Sequence, residues 1–280
     1  MVALESSVLA HGLPIPANRE ADQRIRAAIR RRGAVPAVTA VVRGVPMIGL
    51  DGDDLERFLA QSAIPKVSAR DLPWATASRS DGATTVAASL ALSTLAGLDV
   101  LATGGIGGVH RGAPFDESAD LLDLSRSSMV VVCAGAKAIL DLRATLERLE
   151  TLGVAVVGYR TREFPGFYTA RTGLVLDAVA ESPREIAAAF RAARALRRPG
   201  ALLVVQAPPP ETVLDAATVR EAVETALRAA RRSSVTGAAI TPFLLAAVDE
   251  ATGGRARAAN LALLEANAGL AAEIAAALLV

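Results

Sequence analysis

Residues 98–105, LDVLATGG, and residues 129–135, MVVVCAG, each run apolar for the length of a strand and then break into small residues. Between and around them lie helical patterns: TTVAASLALSTLAG (84–97) is apolar enough to be buried, and AILDLRATLERLETLG (138–153) ends at Gly153. Alternation at this spacing calls for parallel strands joined by helical crossovers. Outward from this centre, the strands VALES (2–6), VAVVGY (154–159) and ALLVVQ (201–206), the mixed run AVPAVTAVVRGVPMIGL (34–50) and the helices NREADQRIRAAIRRRG (18–33) and DDLERFLAQ (53–61) continue the pattern. The last seventy residues read as mainly helical, with breaks at SSVTG (233–237) and ATGG (251–254). The expectation is one α/β domain over residues 1–280, a three-layer α/β/α arrangement with a central, largely parallel sheet.

Composition narrows the function. The 280 residues carry a net charge of +1, against a general electrostatic grip on nucleic acid or an anionic membrane. A single cysteine, Cys133, excludes an internal disulfide and a multi-cysteine metal cluster, and with only His11 and His110 beside it a structural zinc site has too few ligands. The opening MVALESSVLAHG has no basic region ahead of an apolar stretch, and the apolar tail LALLEANAGLAAEIAAALLV is interrupted by Glu265, Asn267 and Glu273. A cytoplasmic protein with no membrane span is expected. Of 30 basic residues, 28 are arginine and two are lysine, Lys66 and Lys137. A G+C-rich genome accounts for the arginines, including the runs at Arg30–Arg32 and Arg228–Arg232, which read as solvated helix faces. It does not account for the two lysines that remain, and lysine, unlike arginine, can become a neutral nucleophile.

In such folds ligands bind where strands end. Polar and glycine-rich segments gather there: VALES, PKVSARDLP (65–73), ATGGIGGVHRG (102–112) and VVCAGAK (131–137). The four glycines Gly104, Gly105, Gly107 and Gly108 do not match a dinucleotide fingerprint, because G-x-G-x-x-G from Gly105 would need glycine at His110. They leave two readings open, an anion nest of backbone N–H groups or a tight turn needing positive φ. Next, Asp116, Glu117 and Asp120 bring carboxylates beside His110 and Arg111. Asp116 or Ser118 caps the following helix, or a carboxylate with waters holds a hard cation, magnesium or manganese. Lys137 falls where an apolar strand meets an expected helix start. Desolvation and the helix dipole there both disfavour the ammonium, suiting the amine to Schiff-base chemistry; the alternative is a lysine that snorkels to solvent. Lys66 either pairs with Asp71 or faces a phosphate or carbonyl. Glu5, ending the first strand, becomes a general acid/base candidate beside such a lysine, whereas Cys133 reads as a buried small hydrophobe.

VALESSVLAHGLPIP (2–16), RRGAVPAVTAVV (31–42), PKVSARDLP, DGATTVAASL (81–90), ATGGIGGVHRGAPFDESADL (102–121), VVCAGAKAILDL (131–142) and TPFLL (241–245) together resemble the pseudouridine-5'-phosphate glycosidases, or indigoidine synthase A-like family. The resemblance runs from Val2 to about Asn260 with the motifs in order. It implies a cytoplasmic α/β/α homotrimer, dependent on manganese (Mn2+). The reaction it implies is the reversible splitting of pseudouridine 5'-phosphate into uracil and ribose 5-phosphate, classed among carbon–oxygen lyases of the hydro-lyase type. Carried over by motif, Lys137 is the Schiff-base nucleophile, Glu5 the proton donor and Asp116 the metal ligand; Lys66, Val86, Ser118, Ala119 and Asp120 contact substrate, as do His110 and Asn260. Two alternatives remain open at this stage: a Schiff-base lyase or glycosidase acting on another sugar phosphate, and a non-catalytic sugar-phosphate-binding module. Two features depart from the family pattern, the single Pro114 ahead of Phe115 and the uncharged GAA (237–239) ahead of Ile240 and TPFLL.

Overall fold

The structure is a computed structural model that describes residues 1–60, 63–112, 115–233, 235 and 240–280. Pro114 and the GAA segment lie outside the described residues. In chain order the elements are β1 (Val2–Leu4), α1 (Ala17–Arg30), β2 (Pro36–Val42), β3 (Val45–Ile48), α2 (Gly52–Leu59), β4 (Lys66–Val67), α3 (Leu72–Ala77), β5 (Gly82–Thr84), α4 (Val86–Leu95), β6 (Val100–Ala102) and α5 (Ala119–Arg126). There follow β7 (Val130–Cys133), α6 (Leu142–Thr151), β8 (Ala155–Tyr159), β9 (Ala178–Ala180), α7 (Pro183–Ala195), β10 (Leu202–Val205), α8 (Ala216–Arg232), α9 (Ile240–Ala251) and α10 (Arg255–Ala277). One sheet joins the strands in the order β4-β5-β2-β1-β6-β7-β10-β8-β9, with β3 alongside β2. The expected three-layer α/β/α architecture with a largely parallel sheet is what the chain forms.

Strands β1, β2, β6, β7 and β10 are buried at every residue, which is why they read as unbroken apolar runs rather than alternating ones. From β1 the chain crosses through α1 to β2 on one side, and from β6 through α5 to β7 on the other. Right-handed crossovers in opposite directions put their helices on opposite faces. Accordingly α10 packs against α1 and α7, while α5 packs against α4 and α6. The strand order therefore reverses between β1 and β6, and the crevice above their carboxyl ends is where an open α/β sheet takes a ligand.

The long run 34–50 resolves into two strands. β2 turns back at Arg43 and Gly44 into β3, antiparallel from Val42↔Val45 to Thr39↔Ile48. β5 is also antiparallel to β2, and β4 is parallel to β5, so β4 runs against the main sheet. Lys66 therefore opens its strand rather than ending it. An amino end on a reversed strand reaches the same rim as the carboxyl ends of β1 and β6.

Among the described residues no helix is long and apolar enough to cross a membrane. The apolar tail forms α10, which packs on β1, β6 and β7 with buried residues around much of its circumference. Of the arginine runs, Arg31 and Arg32 pair with Glu265 and Glu273 of α10 at 2.8 and 2.6 Å.

Candidate active site

Glu5 follows β1 and is 5 % exposed. Two hydroxyls donate to its carboxylate: Ser7 Oγ, and Thr103 Oγ1 at 2.5 Å from the end of β6. Thr103 is itself held in place. Asn267 of α10 donates to the carbonyls of Thr103 and Gly104 at 2.8 and 3.2 Å, and Gln206 donates to Asn267 at 2.8 Å. On the other flank, Ser6, Thr39, Thr84 and Ser89 form a buried hydroxyl cluster with contacts of 2.8–3.2 Å that joins β1, β2, β5 and α4. A buried carboxylate needs such satisfied surroundings to stay fixed.

Lys137 departs from its expected place. No helix begins there: α6 starts at Leu142, capped by Asp141, whose carboxylate accepts from Ala144 N at 3.0 Å. The segment after β7 instead continues beside the glycine segment, with Ile106 N donating to Gly135 O and Lys137 N to Ile106 O at 3.0 and 3.1 Å, before turning at Leu140. The helix-dipole half of the argument for a neutral amine is thereby withdrawn. Lys137 is half-buried at the rim.

Lys66 does not pair with Asp71, whose carboxylate instead accepts from Ser68 N at 3.0 Å and lies 3.4 Å from Arg70. The residue is exposed but lines the pocket, and desolvation and then the like charge of Lys137 push its pKa down, opposed by Glu5 and Asp120. The two lysines and Glu5 are thus within one electrostatic neighbourhood.

None of Gly104, Gly105, Gly107 and Gly108 has a positive φ, so the tight-turn reading of the glycine segment falls. Of the anion reading one contact is present, the backbone N–H of Gly107 on the Asp120 carboxylate at 2.8 Å. The glycines are required by close approach: a Cβ on Gly105 would stand 2.5 Å from the Phe167 ring, and one on Gly107 2.2 Å from Ser118 Oγ. Asp120, 5 % exposed, explains the second approach. Its two oxygens accept from Gly107 N at 2.8 Å and from Ala87 N at 2.9 Å, clamping the glycine segment to the first turn of α4. Ser118 is the cap of α5, accepting from Asp120 N at 3.2 Å. Ala119 opens that helix.

Asp116 stands further out. Its side chain is 54 % exposed, and Oδ1 lies 2.9 Å from His110 Nδ1. Among the described residues no three His, Cys, Asp or Glu side chains converge to hold a metal. Glu117 turns away to Arg148 at 2.8 Å. A single carboxylate with an otherwise hydrated shell is still a donor set that manganese or magnesium accepts, so Asp116 fits a mostly water-coordinated ion rather than a protein cage. Cys133 is fully buried, and its thiol is pushed up to about 12 by desolvation, as an inert core residue requires.

These side chains line two lobes. One is the more polar, with His110, Ser118, Asp120, Gly107 and Thr85, beside the apolar Val86, Leu140 and Ile240. The other has apolar faces, Phe167, Pro242 and Leu245, with His11 and Asn260 at its edge. Glu5, Ser7, Lys66, Lys137 and Thr241 line both, so the lobes meet at the two lysines. Of the residues singled out from sequence, Glu5, Lys66, Val86, His110, Ser118, Asp120, Lys137 and Asn260 come together; Ala119 and Asp116 are not in either lining. Sequence reasoning missed Ser7, Thr103, Phe167 and the pocket position of His11. Thr103 had a signal, a hydroxyl at the strand end just ahead of the glycines, while Phe167 had none.

An α/β/α domain with an acid and two lysines at its switch crevice, between a more polar lobe and an apolar-faced one, has the form of a sugar-phosphate enzyme. The family model described as Indigoidine synthase A like protein matches residues 1–277, and the chain belongs to this family. It is 60 % identical over 278 residues to a pseudouridine-5'-phosphate glycosidase of Gemmatimonas aurantiaca, covering 99 % of this chain and 91 % of the relative. A pseudouridine-5'-phosphate glycosidase of Herpetosiphon aurantiacus is 50 % identical over 281 residues, covering 99 % and 92 %. Among solved structures, the prealnumycin C-glycosynthase AlnA, crystallised in complex with ribulose 5-phosphate, superposes with a TM-score of 0.91 at 37 % identity, covering 99 % of this chain and 91 % of AlnA. An indigoidine synthase A-like protein of Thermotoga maritima gives 0.92 at 36 % identity, covering 98 % and 91 %.

Proposed function

We propose that this chain reversibly cleaves the C-glycosidic bond of pseudouridine 5'-phosphate, giving uracil and ribose 5-phosphate through an imine on Lys137. The observation that carries this reading is the pair of lobes meeting at Glu5, Lys66 and Lys137. A sugar phosphate in the polar lobe and a flat base in the apolar-faced lobe put the bond between them beside both lysines. The phosphate is placed at the start of α4, where the backbone N–H of Val86 and the positive end of the helix favour an anion, with His110 and Ser118 alongside. The relatives' names and the sugar phosphate bound to AlnA support the same assignment.

The bond joins carbon to carbon, and the leaving carbon has no lone pair for an acid to protonate, so the usual two-carboxylate glycosidase chemistry is closed. In the proposed course Glu5 gives its proton to the ring oxygen as the bond from that oxygen to the anomeric carbon opens. The Lys137 amine adds to that carbon. Glu5 takes back a proton from the added nitrogen and delivers it to the uracil carbon as that carbon's bond to the sugar breaks, leaving the imine, and water hydrolyses the imine to free Lys137 and ribose 5-phosphate. The sum is substrate plus water to uracil plus ribose 5-phosphate; read backwards, loss of water gives the hydro-lyase designation. Lys66 and the phosphate contacts hold the sugar while the ring is open. Asp116 is proposed to hold Mn2+ with waters, and the ion when bound supplies positive charge toward the phosphate. The cytoplasmic homotrimer belongs to the same proposal, and light scattering tests its stoichiometry.

The test is borohydride trapping. Incubation with ribose 5-phosphate and reduction is expected to place a stable adduct on Lys137, mapped by mass spectrometry, and Lys137→Arg is expected to abolish both the adduct and uracil release. No adduct on Lys137 together with no uracil release in the presence of manganese overturns the assignment. For the ion, Asp116→Asn is expected to weaken manganese binding measured by titration calorimetry.

A further inference from the structure

His11 lies on a wide helical turn, Val8–Gly12, directly after the Glu5 strand. That turn is fixed from three sides. Leu9 N and Ala10 N donate to Ser6 O at 3.1 and 3.0 Å, and the buried Asn18 amide donates to Leu9 O and Leu59 O at 3.0 and 2.8 Å. Nε2 of the imidazole is buried and has no hydrogen-bond partner. Desolvation first, and then the charge of Lys66, push the pKa of the ring down, which favours the neutral form with one bare acceptor nitrogen. His11 lines the apolar-faced lobe together with Asn260, whose Oδ1 is likewise buried without a partner. Orphaned acceptors of this kind are rare in a folded protein unless something else completes them.

The surroundings say what. Phe167, Pro242 and Leu245 supply flat or apolar walls, and the unsatisfied polar atoms are at the edge. A cavity so built suits a planar heterocycle with N–H groups on its rim. We infer that His11 binds the departing base by accepting one of its ring N–H bonds at Nε2, with Asn260 as the second edge contact. The inference rests on the reaction proposed above and extends it to base recognition. A base joined through carbon keeps both ring N–H groups, whereas one joined through nitrogen has lost one, so an acceptor here is a means of telling the two kinds of nucleotide apart.

The experiment measures binding of uracil, 1-methyluracil and 3-methyluracil to the full chain and to His11→Ala and His11→Gln by titration calorimetry. A methyl group that removes the N–H facing Nε2 is expected to weaken binding to the unaltered protein roughly tenfold relative to uracil. His11→Ala should weaken uracil by a similar factor and erase the penalty for that one methyluracil. His11→Gln, which places an amide oxygen near the position of Nε2, should recover part of both. Equal weakening of uracil and both methyluracils, or no weakening, overturns the role of His11. An unaltered protein that traps no sugar but keeps the methyl-specific penalty refutes the imine reaction while leaving His11 as a base contact.

Discussion

Replacing Asp120 by asparagine tests whether the site is clamped in the way described. Asp120 is 5 % exposed, and its oxygens accept separate backbone N–H groups, Gly107 N at 2.8 Å and Ala87 N at 2.9 Å. Each is a hydrogen bond to a charged acceptor, about 1.5–3 kcal/mol, where a neutral one contributes roughly 0.5–1.5. Asparagine keeps one oxygen, so one bond survives in its weaker form, a loss of about 1 kcal/mol. Its NH2 then faces the other N–H, donor against donor, and leaves a buried amide unmet at about 1–3 kcal/mol. The expected destabilisation is about 3 kcal/mol, which for a chain of this size lowers Tm by about 6–12 °C. Thermal unfolding followed by circular dichroism measures it, with Asp123→Asn as the control. Asp123, one turn of backbone further on and partly solvated, has its pKa raised by desolvation and by Asp120, so losing its charge should change stability by less than about 0.5 kcal/mol. A change in Asp120→Asn no larger than in the control would refute the clamp.

Gly105→Ala would bring a methyl to 2.5 Å from the Phe167 ring and 3.1 Å from Gly135 O; a loss of about 1–3 kcal/mol in chemical denaturation is expected, together with weaker uracil binding as Phe167 is displaced. Lys66→Met should stabilise the protein at neutral pH while abolishing sugar-phosphate binding. The sign follows from linkage: the folded pKa of Lys66 lies below its ordinary value, so the unfolded chain holds the proton more tightly, and the native-state penalty fades as pH rises toward the ordinary lysine range. Denaturation midpoints of the two proteins should therefore converge at alkaline pH. Cys133, with its thiol pushed up to about 12 and no exposure, should react with a thiol reagent only at the rate of global unfolding; rapid labelling of the folded protein would show that the strand carrying it opens locally.

Much of this arrangement was legible in the residues. Unbroken apolar runs such as VVVC and LLVV are buried on both faces, and a chain can bury strands in that way only inside a layered parallel sheet. The direction of β4 was not legible. Two residues carry no directional signal, and orientation is set by the partner, here Ala83 and Thr84, seventeen positions on from Lys66 and Val67. The helix expected at Lys137 is a different kind of miss. Asp141, a good capping residue just ahead of Leu142, marked the true start, but the apolar AIL between them continued the helical pattern. The glycine segment was recognised as special, but the crowding that requires its glycines was not foreseen. Its constraint comes from Phe167 and Ser118, which are distant from it or hidden in their own local roles, so no local rule exposes it. His11, weighed from sequence only as a metal ligand, becomes informative once Nε2 is seen to be buried and unpartnered.

The reversed strand has a consequence for the way the site moves. Lys66 is carried by a ladder of two residues, held by Ala83 N to Pro65 O at 2.8 Å and Thr85 N to Val67 O at 3.0 Å. Its apolar anchor, Val67, belongs with Val41, Ala75 and Leu72 to a small cluster separate from the main core. Glu5 and Lys137 are fastened to the central strands, but Lys66 is fastened to a satellite. Amide hydrogens at Ala83 and Thr85 should therefore exchange faster than those of β1 and β7, and a bound sugar phosphate should slow the first pair selectively, because filling the pocket ties the satellite to the sheet.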